Sequence, residues 1–170
     1  MEKIKVVNQG DILTFIAADG NYKVFLCTST YKERSPHFFI FTALTYDNKK
    51  QPTIEDIEES SFFGIGNRKN SYFSYSDKEL EQIWAVHPEI IPYQLGSYGF
   101  FIQRKNFMKF RENFKFICNF KILDNLDKNG NGSINSDDWN YLKEFFNEKL
   151  NTVMLDRGQK TFKIKSIIQK

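Results

Sequence analysis

Ile12-Leu13-Thr14-Phe15-Ile16-Ala17, the step Asp19-Gly20, and Tyr22-Lys23-Val24-Phe25-Leu26-Cys27-Thr28 carry the clearest structural signal in the chain. Two runs rich in β-branched and aromatic residues flank an Asp-Gly pair. Such a pair supplies the positive φ that a tight hairpin turn demands. The reading is an antiparallel hairpin. Outward from it, Lys32-Glu33-Arg34-Ser35-Pro36 makes a polar turn, and His37 to Thr45 gives a third strand dense in Phe38, Phe39, Ile40 and Phe41. Asp47 to Pro52 is a loop. Thr53 to Glu59 carries the signal of a short acidic helix, with Pro52 leading in and Ile54 and Ile57 on one face.

Further along, Phe62 to Gly66 runs into a polar turn at Asn67 to Asn70, and Tyr72 to Tyr75 alternates as an edge strand. Ser76 caps a short helix from Asp77 to Trp84, with Glu79 at the capping-box position. Pro88 and Pro92 bracket Ile90-Ile91. Tyr98 to Gln103 and Phe114 to Phe120 alternate as strands, separated by Arg104 to Asn113. A helix starts near Asp137 and runs into the Leu150 region, Asp156-Arg157-Gly158 turns, and Thr161 to Ile168 closes as an amphipathic strand. Neither an internal repeat nor a low-complexity linker marks a boundary. Residues 1–170 are therefore expected to form a single α+β domain on a curled antiparallel β-sheet with short helices.

Bulk properties agree. A chain of 170 residues with 41% hydrophobic content and 18 Phe has ample material for a core, which excludes disorder. A net charge of +3 neither demands nor excludes nucleic acid. The basic, aromatic stretch Arg104 to Phe116 matches no signature that reads RNA or DNA, so no nucleic-acid partner is expected. Heavy use of Lys, Asn, Ile and Phe fits an A/T-rich, bacterial coding sequence. Cys27 and Cys118, in apolar alternating stretches, read as free thiols inside the core. Met1-Glu2-Lys3-Ile4-Lys5 lacks the apolar run of a signal peptide, and no segment reaches transmembrane length. The expectation is a cytoplasmic protein with no membrane association.

Late in the chain, Asp127-Lys128-Asn129-Gly130-Asn131-Gly132-Ser133-Ile134-Asn135-Ser136-Asp137-Asp138 has the spacing of a twelve-residue calcium loop. A hard cation takes six to eight oxygen ligands. Asp127, Asn129 and Asn131 supply side-chain oxygens, Ser133 its main-chain carbonyl, Asn135 a direct or water-mediated ligand, and Asp138 the last one. Gly132 stands where the loop turns sharply. Ile122, Leu123 and Leu126 precede it at helical spacing; Trp139, Leu142, Phe145 and Phe146 follow on one helical face. The stretch 122–150 resembles an EF-hand, and its second half resembles a dockerin repeat more closely. That resemblance implies a helix-loop-helix around a structural Ca²⁺ near the C-terminus. Asp138 in place of the usual bidentate Glu, with Asn at two ligand positions, implies weaker binding than a cytosolic buffer shows.

Catalytic signatures are missing from the sequence. It holds no nucleophile elbow, no phosphate-cradling glycine loop and no zinc spacing; Gly64-Ile65-Gly66 lacks a third glycine, and His37 and His87 stand apart from any partner motif. No enzyme activity is expected.

Three features of the first hundred residues carry a second resemblance. Gly10-Asp11-Ile12 opens a strand and leads to Asp19-Gly20 and Tyr22 at the hairpin return; a Phe-rich strand leads to Pro52-Thr53-Ile54-Glu55-Asp56-Ile57; Phe63-Gly64 follows. Over residues 7–103 this is similar to a bacterial toxin-immunity family, the one catalogued as immunity protein family twenty-six. The resemblance implies a small cytoplasmic antidote that binds and neutralises a cognate protein toxin stoichiometrically. Glu55, Asp56, Glu58 and Glu59 are the candidate partner-binding residues, because an acidic cluster speeds association with a basic partner. Two alternatives stand beside it: a calcium-dependent protein-interaction module, and a small enzyme whose site forms no motif.

Overall fold

The hairpin is where the sequence puts it. In the computed structural model, which describes residues 4, 6–30, 37–66, 77–86, 95–123, 126–147, 149–156 and 158–169, β1 (Asp11–Ile16) pairs antiparallel with β2 (Tyr22–Ser29), Ile12 opposite Leu26 and Ile16 opposite Tyr22. β3 (Phe38–Ala43) follows antiparallel to β2, then α1 (Ile54–Glu58) and β4 (Ser61–Gly66). α2 (Asp77–Val86) precedes the long β5 (Leu95–Gln103). β5 serves three neighbours. Its C-terminal half pairs with β3, its N-terminal half pairs with β4, and β8 (Leu126–Asn135) runs parallel along its other edge.

Between β5 and β8 lie α3 (Arg104–Phe110), a 3-10 turn at Arg111–Asn113, β6 (Lys115–Asn119) and β7 (Lys121–Ile122). β6 returns to pair with β1. The chain ends with α4 (Trp139–Phe145), α5 (Lys149–Asp156), β9 (Lys160–Lys163), a 3-10 turn at Ile164–Ser166, and β10 (Ile168–Gln169). β9 pairs with β4, while β7 and β10 make a separate two-stranded ribbon. The result is a single α+β domain on a curled half-barrel sheet, antiparallel apart from β5–β8, with short helices. Lys115 on β6 and Lys160 and Lys163 on β9 put charge on the outer strands, which discourages edge-to-edge pairing.

Alternation along the strands feeds two cores. Leu13, Phe15, Phe25, Phe41 and Phe100 face one way and meet Phe107 and Phe110 of α3, Phe114, Leu142 and Phe145 of α4, Phe146 and Met154 of α5. Ile12, Val24, Leu26, Leu44 and Phe62 face the other way and meet Ile57, Ile122, Ile164, Ile167 and Ile168. Burying both faces explains why β1 and β2 read as nearly unbroken apolar runs. Gly64 lets β4 approach β5 closely: a Cβ there would collide with the Gly96 carbonyl oxygen.

Several expectations need correction. Ahead of the calcium motif lies the short strand β7, and the motif itself enters the extended strand β8, so the described residues of 122–150 show no EF-hand-like helix-loop-helix. Backbone pairing, of Ile122 with Ile168 on β10 and of Leu126 with Leu95 on β5, wins there over helical spacing. The helix expected from Asp137 into the Leu150 region is two helices, α4 and α5. Arg104 to Asn113 is α3 plus a 3-10 turn, and the closing strand is broken by the Ile164–Ser166 turn. Cys27 is buried and free, while Cys118 is free and half-buried. The turns at Lys32 to Pro36 and Asn67 to Asn70, the strand Tyr72 to Tyr75, the cap Ser76, Pro88 to Pro92 and His87 lie outside the described residues.

Candidate functional site: a braced acidic helix

α1 has five residues, so tertiary contacts rather than length must hold it. Pro52 is buried and delivers the chain to Thr53, whose extended backbone makes it the N-cap. Thr53 Oγ1 accepts from the Asp56 N–H at 3.2 Å, and Asp56 Oδ2 accepts from the Thr53 N–H at 2.9 Å. This is a reciprocal capping box with Asp in the Glu/Gln position. Those bonds hold the Asp56 carboxyl below its usual range. Ile57 is fully buried, and Ser60 Oγ donates to the Ile57 carbonyl at 2.6 Å. Ile164 N donates to the Ser60 carbonyl at 3.0 Å, tying α1 to the C-terminal 3-10 turn.

The four acidic candidates are brought together on this helix and its exit, but they do different work. Asp56 is engaged in the cap. Glu59 forms an ion pair with Lys165, and its carbonyl accepts from Lys163 Nζ at 3.0 Å. Glu58 is half-buried and close enough to Cys118 that, after burial itself, its charge helps push that thiol up to about 11. Glu55 is exposed. The two isoleucines expected on one face separate: Ile57 enters the core, whereas Ile54 is 44% exposed beside Glu55.

A buried lysine braces the neighbouring loop. Lys23 Nζ lies 2.9 Å from Asp19 Oδ2 and 2.8 Å from Asp47 Oδ1, with its side chain only 5% exposed. Asn21 Nδ2 donates to Asp47 Oδ1 at 2.8 Å, and Tyr22 N donates to the Asn48 carbonyl at 2.7 Å. The hairpin turn and the loop before α1 are thereby one unit. Burial raises Asp19, but the Lys23 and Asn21 hydrogen bonds and the Lys23 charge outweigh it and hold the carboxyl below its usual value. Sequence reading missed this cluster. Its one signal is a lysine set among apolar strand residues, and nothing in the sequence ties it to Asp47.

At the calcium motif, the β5–β8 register passes from Gly96 opposite Asp127 to Tyr98 opposite Gly132. Two steps on β5 are matched by five on β8, so Lys128 to Asn131 leave the ladder. Asn135 Oδ1 accepts from the Asp137 N–H at 3.0 Å, and Asp138 Oδ1 N-caps α4 through the Asn140 N–H at 3.2 Å. Asp137 Oδ1 accepts from Gln103 N at 2.6 Å and fastens the end of β8 to β5. The side chains of Asp127, Asn129, Asn131 and Ser133 lie outside the described part of the structure. Among the described residues, no three His, Cys, Asp or Glu side chains gather as a metal cluster, and no helix is long and apolar enough to cross a membrane.

Compared with protein-family models, with curated proteins and with solved structures, the chain matches none. The immunity and dockerin resemblances thus rest on the residues quoted for them.

Proposed function

We propose that this chain is a cytoplasmic antidote of the toxin-immunity type, which binds a basic surface of a cognate toxin with the α1 face and blocks it stoichiometrically. The observation that carries the reading is the braced presentation of Ile54 and Glu55. A 44% exposed apolar side chain and an exposed carboxylate stand on a helix held by a capping box, a buried Ile57 and the Lys165–Glu59 pair. Preorganised side chains lose little entropy on docking, which favours a contact surface. Glu58, half-buried on the same helix, adds negative charge. The reading is tested by titrating the purified chain with the product of the adjacent gene in a calorimeter and by co-expressing the two. One-to-one binding and rescued growth are expected; no heat of binding and no rescue would reject it.

A structural calcium ion is the second reading, drawn from the motif Asp127, Asn129, Asn131, Ser133, Asn135 and Asp138. One observation favours it: the excursion Lys128 to Asn131 starts at the motif's first ligand and closes at its glycine. A cation binding only the folded form would stabilise it by mass action. A melt with millimolar Ca²⁺ against chelator should show a higher midpoint with calcium, and Asp127→Ala should abolish most of the difference. Coincident melts would remove calcium from the account.

A further inference from the structure

The other side of the sheet carries a surface of opposite sign. Phe107 and Phe110 anchor α3 in the aromatic core, which leaves Arg104, Lys105, Met108 and Lys109 exposed on its outer face. Among the described residues Arg104, Lys105 and Lys109 form no ion pair. Beside them lies a shallow dimple of about 20 Å³ lined by Ile4, Val6, Val7, Phe39 and Met108, with Arg104 in its wall. That is room for one methyl group or one water. Arg111 Nη1 donates to the Ile4 carbonyl at 3.2 Å and so fastens this wall to the end of α3. Val6 and Met108 remain 60% and 40% exposed.

We infer that the α3 face docks an acidic protein segment bearing one small apolar anchor, at a surface separate from α1. Charge complementarity selects the occupant: three cations along one short helix, free of ion pairs among the described residues, attract carboxylates, and Arg104 offers a planar fork to one of them. The dimple admits the tip of a Val or Ala side chain. Nucleic acid fits less well, because Phe107 and Phe110 are buried and offer no face for base stacking. A membrane fits less well too, since Val6 and Met108 alone are too little apolar surface to insert. α1 packs on the aliphatic side of the sheet and α3 on the aromatic side, so the two partners need not compete.

Fluorescence anisotropy with a labelled synthetic peptide tests this, using a single Val flanked by Asp and Glu. Two control peptides replace the acids by Asn and Gln, or the Val by Gly; phosphatidylglycerol vesicles and a single-stranded oligonucleotide are the rival probes. The acidic Val peptide should bind the full-length chain, weaken about tenfold with added salt and about tenfold in Lys105→Glu/Lys109→Glu. The amide and Gly peptides should bind less. If the charge-reversed chain is misfolded by circular dichroism, Arg104→Gln/Lys109→Gln replaces it. Equal binding of the acidic peptide to a folded variant, no advantage of Val over Gly, or binding of vesicles or oligonucleotide in place of peptide would overturn the inference.

Discussion

The two faces of the sheet are built from different chemistry. One is a web of rings: Phe25 alone lies within ring-contact distance of Phe15 at 5.0 Å, Phe41 at 5.1 Å, Phe100 at 5.4 Å and Phe146 at 5.4 Å. The other is mainly aliphatic and holds one short helix through Ile57 and a C-terminal turn through Ile164 and Ile167. The aromatic face joins three helices and five strands into the body of the protein. The aliphatic face does something narrower, keeping a five-residue acidic helix in place. Most of the stability should therefore reside on the first face, and the proposed partner contact on the second.

The largest effect should come from opening the ring web. Phe25→Ala removes the central ring and should cost about 4 kcal/mol in urea unfolding. A loss below about 2 kcal/mol would mean that the web collapses around the gap and is less rigid than drawn. On the other face, Ile57→Ala should cost about 3 kcal/mol and also slow association with the proposed toxin partner, because α1 loses its anchor. If association is unchanged in a folded Ile57→Ala chain, the helix is not the contact.

Lys23→Met should come next, at about 2 kcal/mol, since it strands Asp19 beside a partly solvated Asp47. The pH dependence has a definite sign. A carboxyl held low in the folded state stabilises fully above its unfolded value of about 3.9 and loses that stabilisation as pH falls through the folded value. Acid melts of the wild type should steepen below about pH 4, and Asp19→Asn should flatten that limb.

The hairpin and α1 were legible because local signals agreed with tertiary ones. Asp19-Gly20 set the turn, and Pro52-Thr53 with Asp56 set the cap. β8 was illegible for a physical reason. Its ladder to β5 is made by backbone, opposite Gly96 and Gly99, so it needs no alternation of apolar side chains. The same polar, glycine-rich residues spell a cation loop. α3 was not legible as a helix because Arg104 to Asn113 reads only as the basic, aromatic separation of two strands, although Phe107, Phe110 and Phe114 recur at helical spacing and all reach the core. The break after α4, at Phe146 and Asn147, carries neither glycine nor proline to announce it. Of the acidic cluster, sequence showed where the charges lie but not that Asp56 and Glu59 are taken up by the fold.

A smaller effect should follow from Thr53→Ala, about 1 kcal/mol for the lost cap, with fraying of α1 visible as faster amide exchange at Asp56. Unchanged exchange there would assign the bracing to Ile57 and Lys165 alone.

Reversing the exposed Glu55 and the half-buried Glu58, Glu55→Lys with Glu58→Lys, should change stability least, by roughly 0.5 kcal/mol or less, since neither side chain belongs to an apolar core cluster. Its association kinetics with the proposed toxin partner decide whether α1 is the docking face. At low salt the on-rate of the double variant should fall about tenfold against wild type, the gap closing as salt rises, while the melting midpoint stays the same. Wild-type on-rates at every salt concentration, in a variant with an unchanged melt, would contradict the assignment of the α1 face as the docking surface.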